Sequence, residues 1–189
     1  MDISEAIKLI SGGIQAKGPQ IWADMGAGTG RFTTALGDIL PTSSQVYAVD
    51  RDANALKKIS WRHNGKTLFR IQGDIEEELD LPVLHGAVLA NVMHYVAQPA
   101  YVMKQLQSYL REEGVLIVIE YNTTKTNPWV PFPISLDEMK TLAAQIECDV
   151  SLLATVPSKF NSGDLYSVLL RSKRWLHGNS TTDHFGINP

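Results

Sequence analysis

The residues of this chain most able to do chemistry are three acids, Asp24, Asp50 and Asp74, and three glycines at every second position, Gly26, Gly28 and Gly30. Asp24 comes near the end of a short apolar run, Ile21-Trp22-Ala23-Asp24-Met25, and the glycines follow directly. Glycines so placed let the backbone turn sharply or approach a ligand closely, which a side chain would prevent. The next stretch, Arg31-Phe32-Thr33-Thr34-Ala35-Leu36, is suited to start a helix. Its first N–H groups would be unpaired and would face whatever lies in the turn. A buried strand, a glycine turn and a helix N-terminus make a nucleotide-type pocket. Spacing then separates the nucleotides. A dinucleotide fingerprint reads G-x-G-x-x-G and a phosphate-binding loop ends in Gly-Lys-Ser/Thr; this chain has neither. A carboxylate at the mouth of the pocket, where Asp24 is expected, would repel a pyrophosphate and suit a ligand carrying an ammonium group.

These residues need a framework, and the hydrophobic pattern supplies one. Residues 3–16 carry a helical stripe, Ile3, Ala6, Ile7, Leu9, Ile10 and Ile14, ending near Gly12-Gly13 or Gly18-Pro19. Residues 21–25, 45–50, 67–72, 87–92 and 115–121 read as strands. Between them, helices are expected over 31–40, from Asp52 onward, and over 99–110. Alternating strands and helices predict a parallel sheet with right-handed crossovers. The pattern breaks near the end, where strands over 150–156 and 165–171 are joined by a connection too short for a crossover. They must pair antiparallel. The fold class is therefore α/β, a doubly wound, mostly parallel seven-stranded sheet with a C-terminal antiparallel hairpin and helices on both faces. Residues 1–175 are expected to form one domain and residues 176–189 a polar tail.

In such a sheet, ligands bind outside the carboxyl ends of the strands, and Asp24, Asp50 and Asp74 all fall at such ends. The segment Asp24-x-Gly26-x-Gly28-x-Gly30 resembles motif I of class I S-adenosylmethionine-dependent methyltransferases. That resemblance implies S-adenosylmethionine as cofactor, with an amino group, a sulfonium, a ribose and an adenine but no phosphate. It assigns Asp50 to the ribose hydroxyls and places Arg51 near the adenine. Gly73-Asp74-Ile75 matches the family's third element, in which Asp74 accepts from the adenine amino group and the Ile75 N–H donates to the ring. Met25 and Asn91 complete the implied cofactor set. A turn aspartate capping its own backbone is the simpler role for Asp74.

The acceptor half is less distinctive. Asn91-Val92-Met93-His94-Tyr95-Val96-Ala97-Gln98-Pro99 looks like the segment after the fourth strand of small-molecule methyltransferases, although Tyr95 and Gln98 depart from it. The Asn/Asp-Pro-Pro-Tyr/Phe tetrapeptide of enzymes that methylate DNA or glutamine amides is absent, which counts against those acceptors. His94 and Tyr121 are the candidate catalytic residues, His94 as a general base or else as a residue that holds its loop. Asn127-Pro128-Trp129-Val130-Pro131-Phe132-Pro133 is expected either as an acceptor wall or lid, or as core packing. The implied mechanism is direct in-line displacement, which needs alignment rather than a nucleophilic triad or a metal. The histidines lack ligand spacing, so no metal is expected.

Composition bounds the alternatives. A formal net charge of −3 without a basic run gives no nucleic-acid footprint. No apolar run approaches the roughly 20 residues that span a bilayer. The start, Met1-Asp2-Ile3-Ser4-Glu5, lacks the features of a signal peptide. One cysteine, Cys148, excludes an internal disulfide and fits a reducing, cytoplasmic setting. The partner expected is a small-molecule acceptor, with no nucleic acid and no membrane. Two rivals remain at this level. A nicotinamide-dependent oxidoreductase would also use Asp50, but the glycine spacing and Asp24 argue against it. A non-catalytic subunit could keep the cofactor fold as a platform.

Overall fold

The computed structural model describes residues 1–15, 17–158 and 163–173, so the polar tail expected over 176–189 lies outside the described residues. Its strands are β1 (Ile21–Met25), β2 (Gln45–Asp50), β3 (Thr67–Gln72), β4 (Leu84–Ala90), β5 (Leu110–Tyr121), β6 (Cys148–Pro157) and β7 (Asp164–Ser172). They form one seven-stranded sheet in the order β3-β2-β1-β4-β5-β7-β6. The first five strands run parallel, and β7 pairs antiparallel with both β5 and β6. The chain winds outward from β1 to β3 on one side, then returns to place β4 against the free edge of β1. The strand order therefore reverses between β1 and β4. That is where a crevice opens in this architecture.

Period-two alternation distributes the core over both faces. Leu116 and Val118 of β5 join Ala87 and Leu89 of β4 beneath α4 (Pro99–Ser108) and α5 (Leu136–Gln145). Val115, Ile117 and Ile119 point the other way, into a cluster with Leu9 and Ile10 of α1 (Ile3–Ile10) and Phe32 and Leu36 of α2 (Arg31–Ile39). The short α3 (Ala53–Lys57) packs Leu56 against Ala48. Burial on both faces explains why β5 reads as an unbroken apolar run.

Several boundaries differ from the pattern reading for identifiable reasons. The first helix ends at Ile10 and tightens into a 3₁₀ turn over Ser11–Gly13. Strand β4 stops at Ala90 because Asn91 takes a left-handed conformation, φ 54°. Helix α5 was not anticipated at all. It begins at a capping box in which Ser135 and Glu138 bond each other's backbone N–H, and it buries Met139, Leu142 and Ala143.

Candidate active site

The glycine turn leaves β1 at the reversal of strand order, with φ 78° at Gly26, 53° at Gly28 and 86° at Gly30. These angles lie in the left-handed region that only glycine enters without strain. The turn is tied down from β2: Gly26 and Ala27 donate to the Val49 carbonyl at 2.8 and 2.9 Å. A side chain at Gly26 would meet Val92 at 2.7 Å, whereas nothing lies within 4 Å of one at Gly28. The space beyond Gly28 is open to a ligand.

Asp50 holds the turn from its own strand end. Its Oδ2 accepts from the Gly28 N–H at 2.7 Å, and its Oδ1 accepts from the Asp52 N–H at 2.8 Å. A carboxylate offers about four lone-pair sites, so each oxygen retains one for a further donor. Asp74 shows the turn-capping bond, accepting from the Glu76 N–H through Oδ1 at 3.0 Å; Oδ2 accepts nothing among the described residues.

A cavity of about 300 Å³ lies over these strand ends and is lined by Gly26, Asp50, Arg51, Asp74, Ile75 and Asn91, with Gly73, Glu76, Val92, Tyr95 and Val96. A second, of about 290 Å³, sits between the start of α1, the glycine turn and the β6–β7 hairpin. Its walls include Phe32, Tyr121, Val156 and Leu165, with Glu5 and Arg31 as charged members. Gly26 and Asn91 line both cavities and mark their junction. Asn91 Oδ1 is the one buried side-chain oxygen or nitrogen without a hydrogen-bond partner among the described residues. Such an orphaned acceptor costs about 1–3 kcal/mol and awaits a donor.

Four expected cofactor residues line neither cavity: Gly28 and Gly30 within the turn, and Asp24 and Met25 behind it. Asp24 is not at the mouth of the pocket: it is 1% exposed and lines neither cavity. Its Oδ2 accepts from the Thr33 hydroxyl at 2.6 Å, joining the end of β1 to the first turn of α2. Burial pushes its pKa up to about 6, opposed by hydrogen bonds from Thr33 and assisted by the charge of Asp50. The Met25 side chain is fully buried in the sheet core and does not line the pocket.

On the acceptor side, His94 also departs from expectation. It is 2% exposed and lines neither cavity. Its Nδ1 shares a hydrogen bond of 2.6 Å with Oε2 of Glu120, a carboxylate with no solvent exposure. Oε1 of Glu120 also accepts the N–H groups of Met93 and His94, at 2.9 and 3.3 Å. The pair therefore clamps the 3₁₀ turn Met93–Tyr95 onto β5. The His94 ring lies 4.3 Å from that of Tyr95 and 5.7 Å from that of Tyr121, between residues lining the two cavities. Tyr121 lines the second cavity, half-buried, with burial, then Glu120, then Tyr95 raising its pKa. Trp129 and Phe132, at 78% and 46% exposure, neither line a cavity nor fill the core.

Glu120 was missed as a site residue, although its signal was present: like the other three acids, it stands at or near the carboxyl end of a strand. Arg31 and Phe32 directly follow the glycine motif, but their meeting with Glu5 and the β6–β7 hairpin is set by distant segments that no motif joins. No metal-binding group of three His, Cys, Asp or Glu occurs among the described residues.

Residues 22–174 match the model of a family described as a methyltransferase domain. Solved structures share the fold. A SAM-dependent methyltransferase from Leishmania major superposes with a TM-score of 0.71 at 15% identity, covering 89% of this chain and 72% of that one. The plantazolicin methyltransferase BpumL, solved in complex with SAH, gives 0.64 at 14% identity, covering 90% and 82%. A methyltransferase-like protein of Bacillus halodurans gives 0.65 at 11% identity, covering 89% and 96%. No curated protein matches the chain in sequence.

Proposed function

The chain belongs to the methyltransferase-domain family, and from that premise we propose S-adenosylmethionine-dependent methyl transfer to a small molecule, with cofactor in the first cavity and acceptor in the second. The observation that carries this arrangement is the unpartnered Asn91 Oδ1 where the two cavities meet. An ammonium group is the donor that best satisfies it.

The chemistry of the first cavity fits a cationic ligand without phosphate. Asp50, Asp74 and Glu76 line it against a single cation, Arg51. A pyrophosphate would meet net repulsion there, which disfavours a nicotinamide cofactor. Asp50 has acceptor capacity for ribose hydroxyls, and the free Oδ2 of Asp74 suits the adenine amino group, with Ile75 and Arg51 beside it. Asp24 acts on this site indirectly, by holding the end of β1 to α2 on either side of the glycine turn.

When bound, S-adenosylmethionine supplies a methyl group on a sulfonium, activated for direct displacement. The chain's work is then to align the acceptor and exclude water. Phe32, Val156 and Leu165 give the second cavity an apolar wall. Tyr121, its phenol held protonated by the raised pKa, donates a hydrogen bond that orients the acceptor. His94 and Glu120 position the loop between the cavities rather than removing a proton. A pocket of this size suits a molecule of metabolite dimensions more than a macromolecule. The single buried Cys148 supports a cytoplasmic setting, and residues 1–175 act as one domain in this reading.

A label-transfer experiment tests the acceptor class. Cell extract incubated with the protein and methyl-labelled S-adenosylmethionine should yield label in the low-mass filtrate. Label confined to retained protein or RNA would overturn the small-molecule assignment.

A further inference from the structure

A third cavity is larger than the two beside the glycine turn. A space of about 550 Å³ opens at the opposite end of the sheet, where the parallel strands begin. Register fixes its floor: Arg171 pairs with Val115, Val115 with Gly86, and Gly86 with Trp22, one row across four strands. Trp22 and Val115, 2% and 5% exposed, make this floor apolar. The Trp22 indole lies over Gly86, where an added Cβ would meet it at 2.5 Å. Its Nε1–H donates to Gln20 Oε1 at 2.7 Å, and Gln20 in turn donates to the Gln15 carbonyl, which fixes the α1–β1 connection as one wall.

The rim is rich in donors. Lys17, Arg111 and Arg171 line the cavity, and none makes an ion pair among the described residues. Arg111 donates from Nε to the Glu112 carbonyl at 3.1 Å, leaving both Nη groups unbonded among those residues. His85 accepts the Ile21 N–H through Nδ1 at 3.1 Å, so the neutral ring carries its proton on Nε2 as a further donor. Burial and then the Arg111 charge lower the His85 pKa, which favours the neutral ring. Glu113 is the only carboxylate of the lining. Three cations against one acid leave two positive charges in a chain whose net charge is −3.

We propose that this cavity binds a small molecule bearing a phosphate group, at the end of the sheet remote from the cofactor. A phosphate monoester carries about −1.5 to −2 near neutral pH and accepts through three oxygens, which matches the charge and the guanidinium forks. A monocarboxylate would leave one positive charge uncompensated. The site is independent of the methyl-transfer reading, since no lining residue is shared with the other two cavities.

Amide NMR of the full chain titrated with inorganic phosphate, beside acetate at equal ionic strength, tests this. Phosphate should shift Gly114, Val115 and Ser172 saturably while acetate does not and Gly28 stays unmoved. The double variant Arg111→Gln/Arg171→Gln should weaken phosphate at least about tenfold. It should leave S-adenosylhomocysteine affinity within about twofold, as expected for distant sites. Absence of saturation by about 20 mM, well above the millimolar range of weak sites, would overturn the proposal. So would equal shifts in the double variant, or shifts at Gly28. Tighter binding of a single-stranded RNA oligonucleotide at the same amides would make this a nucleic-acid contact and overturn it equally.

Discussion

At the scale of residues, Asp24 and Glu120 do opposite things with a buried carboxylate. Asp24 has one hydroxyl partner and a pKa of about 6 against an ordinary 3.8. The native state therefore keeps a proton between about pH 4 and 6 that the unfolded chain has already lost, and stability falls as pH rises through that window. Above it the full cost, on the order of 3 kcal/mol, is present. Asp24→Asn should thus raise the melting temperature at pH 8, with the gain gone by pH 4, in thermal melts across that range. Glu120 instead satisfies three donors. Glu120→Ala should cost about 3 kcal/mol or more in denaturant unfolding, since three buried donors lose their acceptor at about 1–3 kcal/mol each, and Glu120→Gln less. His94→Ala should lower turnover less than tenfold, below the span of general-base effects, without altering the pH profile near 6–7. A loss of about 10² or more that changes with pH would restore His94 as the base. Composition and spacing told which side chains matter better than which way they face. Asp24, placed at the pocket mouth by its position in the motif, turns inward because α2 offers it the Thr33 hydroxyl.

At the scale of elements, the glycine turn separates strain from occupancy. Gly28 sits at φ 53°, and a Cβ added there has no protein atom within 4 Å, so Gly28→Val projects into open space. The chain should stay folded by circular dichroism, at a backbone cost of about 1–2 kcal/mol, while calorimetry shows cofactor binding lost. Normal binding by that variant would mean the turn is not the pocket. The turn, the five parallel strands and the C-terminal hairpin were legible because each carries its own period or glycine spacing. Helix α5 went unread beside the proline-rich stretch before it, although Ser135 and Glu138 form a capping box and Met139, Leu142 and Ala143 keep helical spacing. The aromatic residues of that stretch, Trp129 and Phe132, are left exposed by the fold.

At the scale of the whole molecule, the order β3-β2-β1-β4-β5-β7-β6 decides where chemistry can occur, and no local pattern encodes it. Period and burial say which residues are inside, but not which strands are neighbours. The second cavity shows this most clearly, since α1, the glycine turn and the hairpin meet only in three dimensions. The reversal between β1 and β4 brings Gly26 and Asn91 together, and Asp50 closes the other side. A calorimetric titration with S-adenosylhomocysteine and NAD tests that convergence most directly, on the unaltered chain and on Asn91→Ala and Asp50→Ala. The expected result is 1:1 binding of S-adenosylhomocysteine and none of NAD, with each variant weaker by about 1.5–3 kcal/mol, the worth of a hydrogen bond to a charged group. Binding of NAD, or unchanged S-adenosylhomocysteine affinity in both variants, would contradict it.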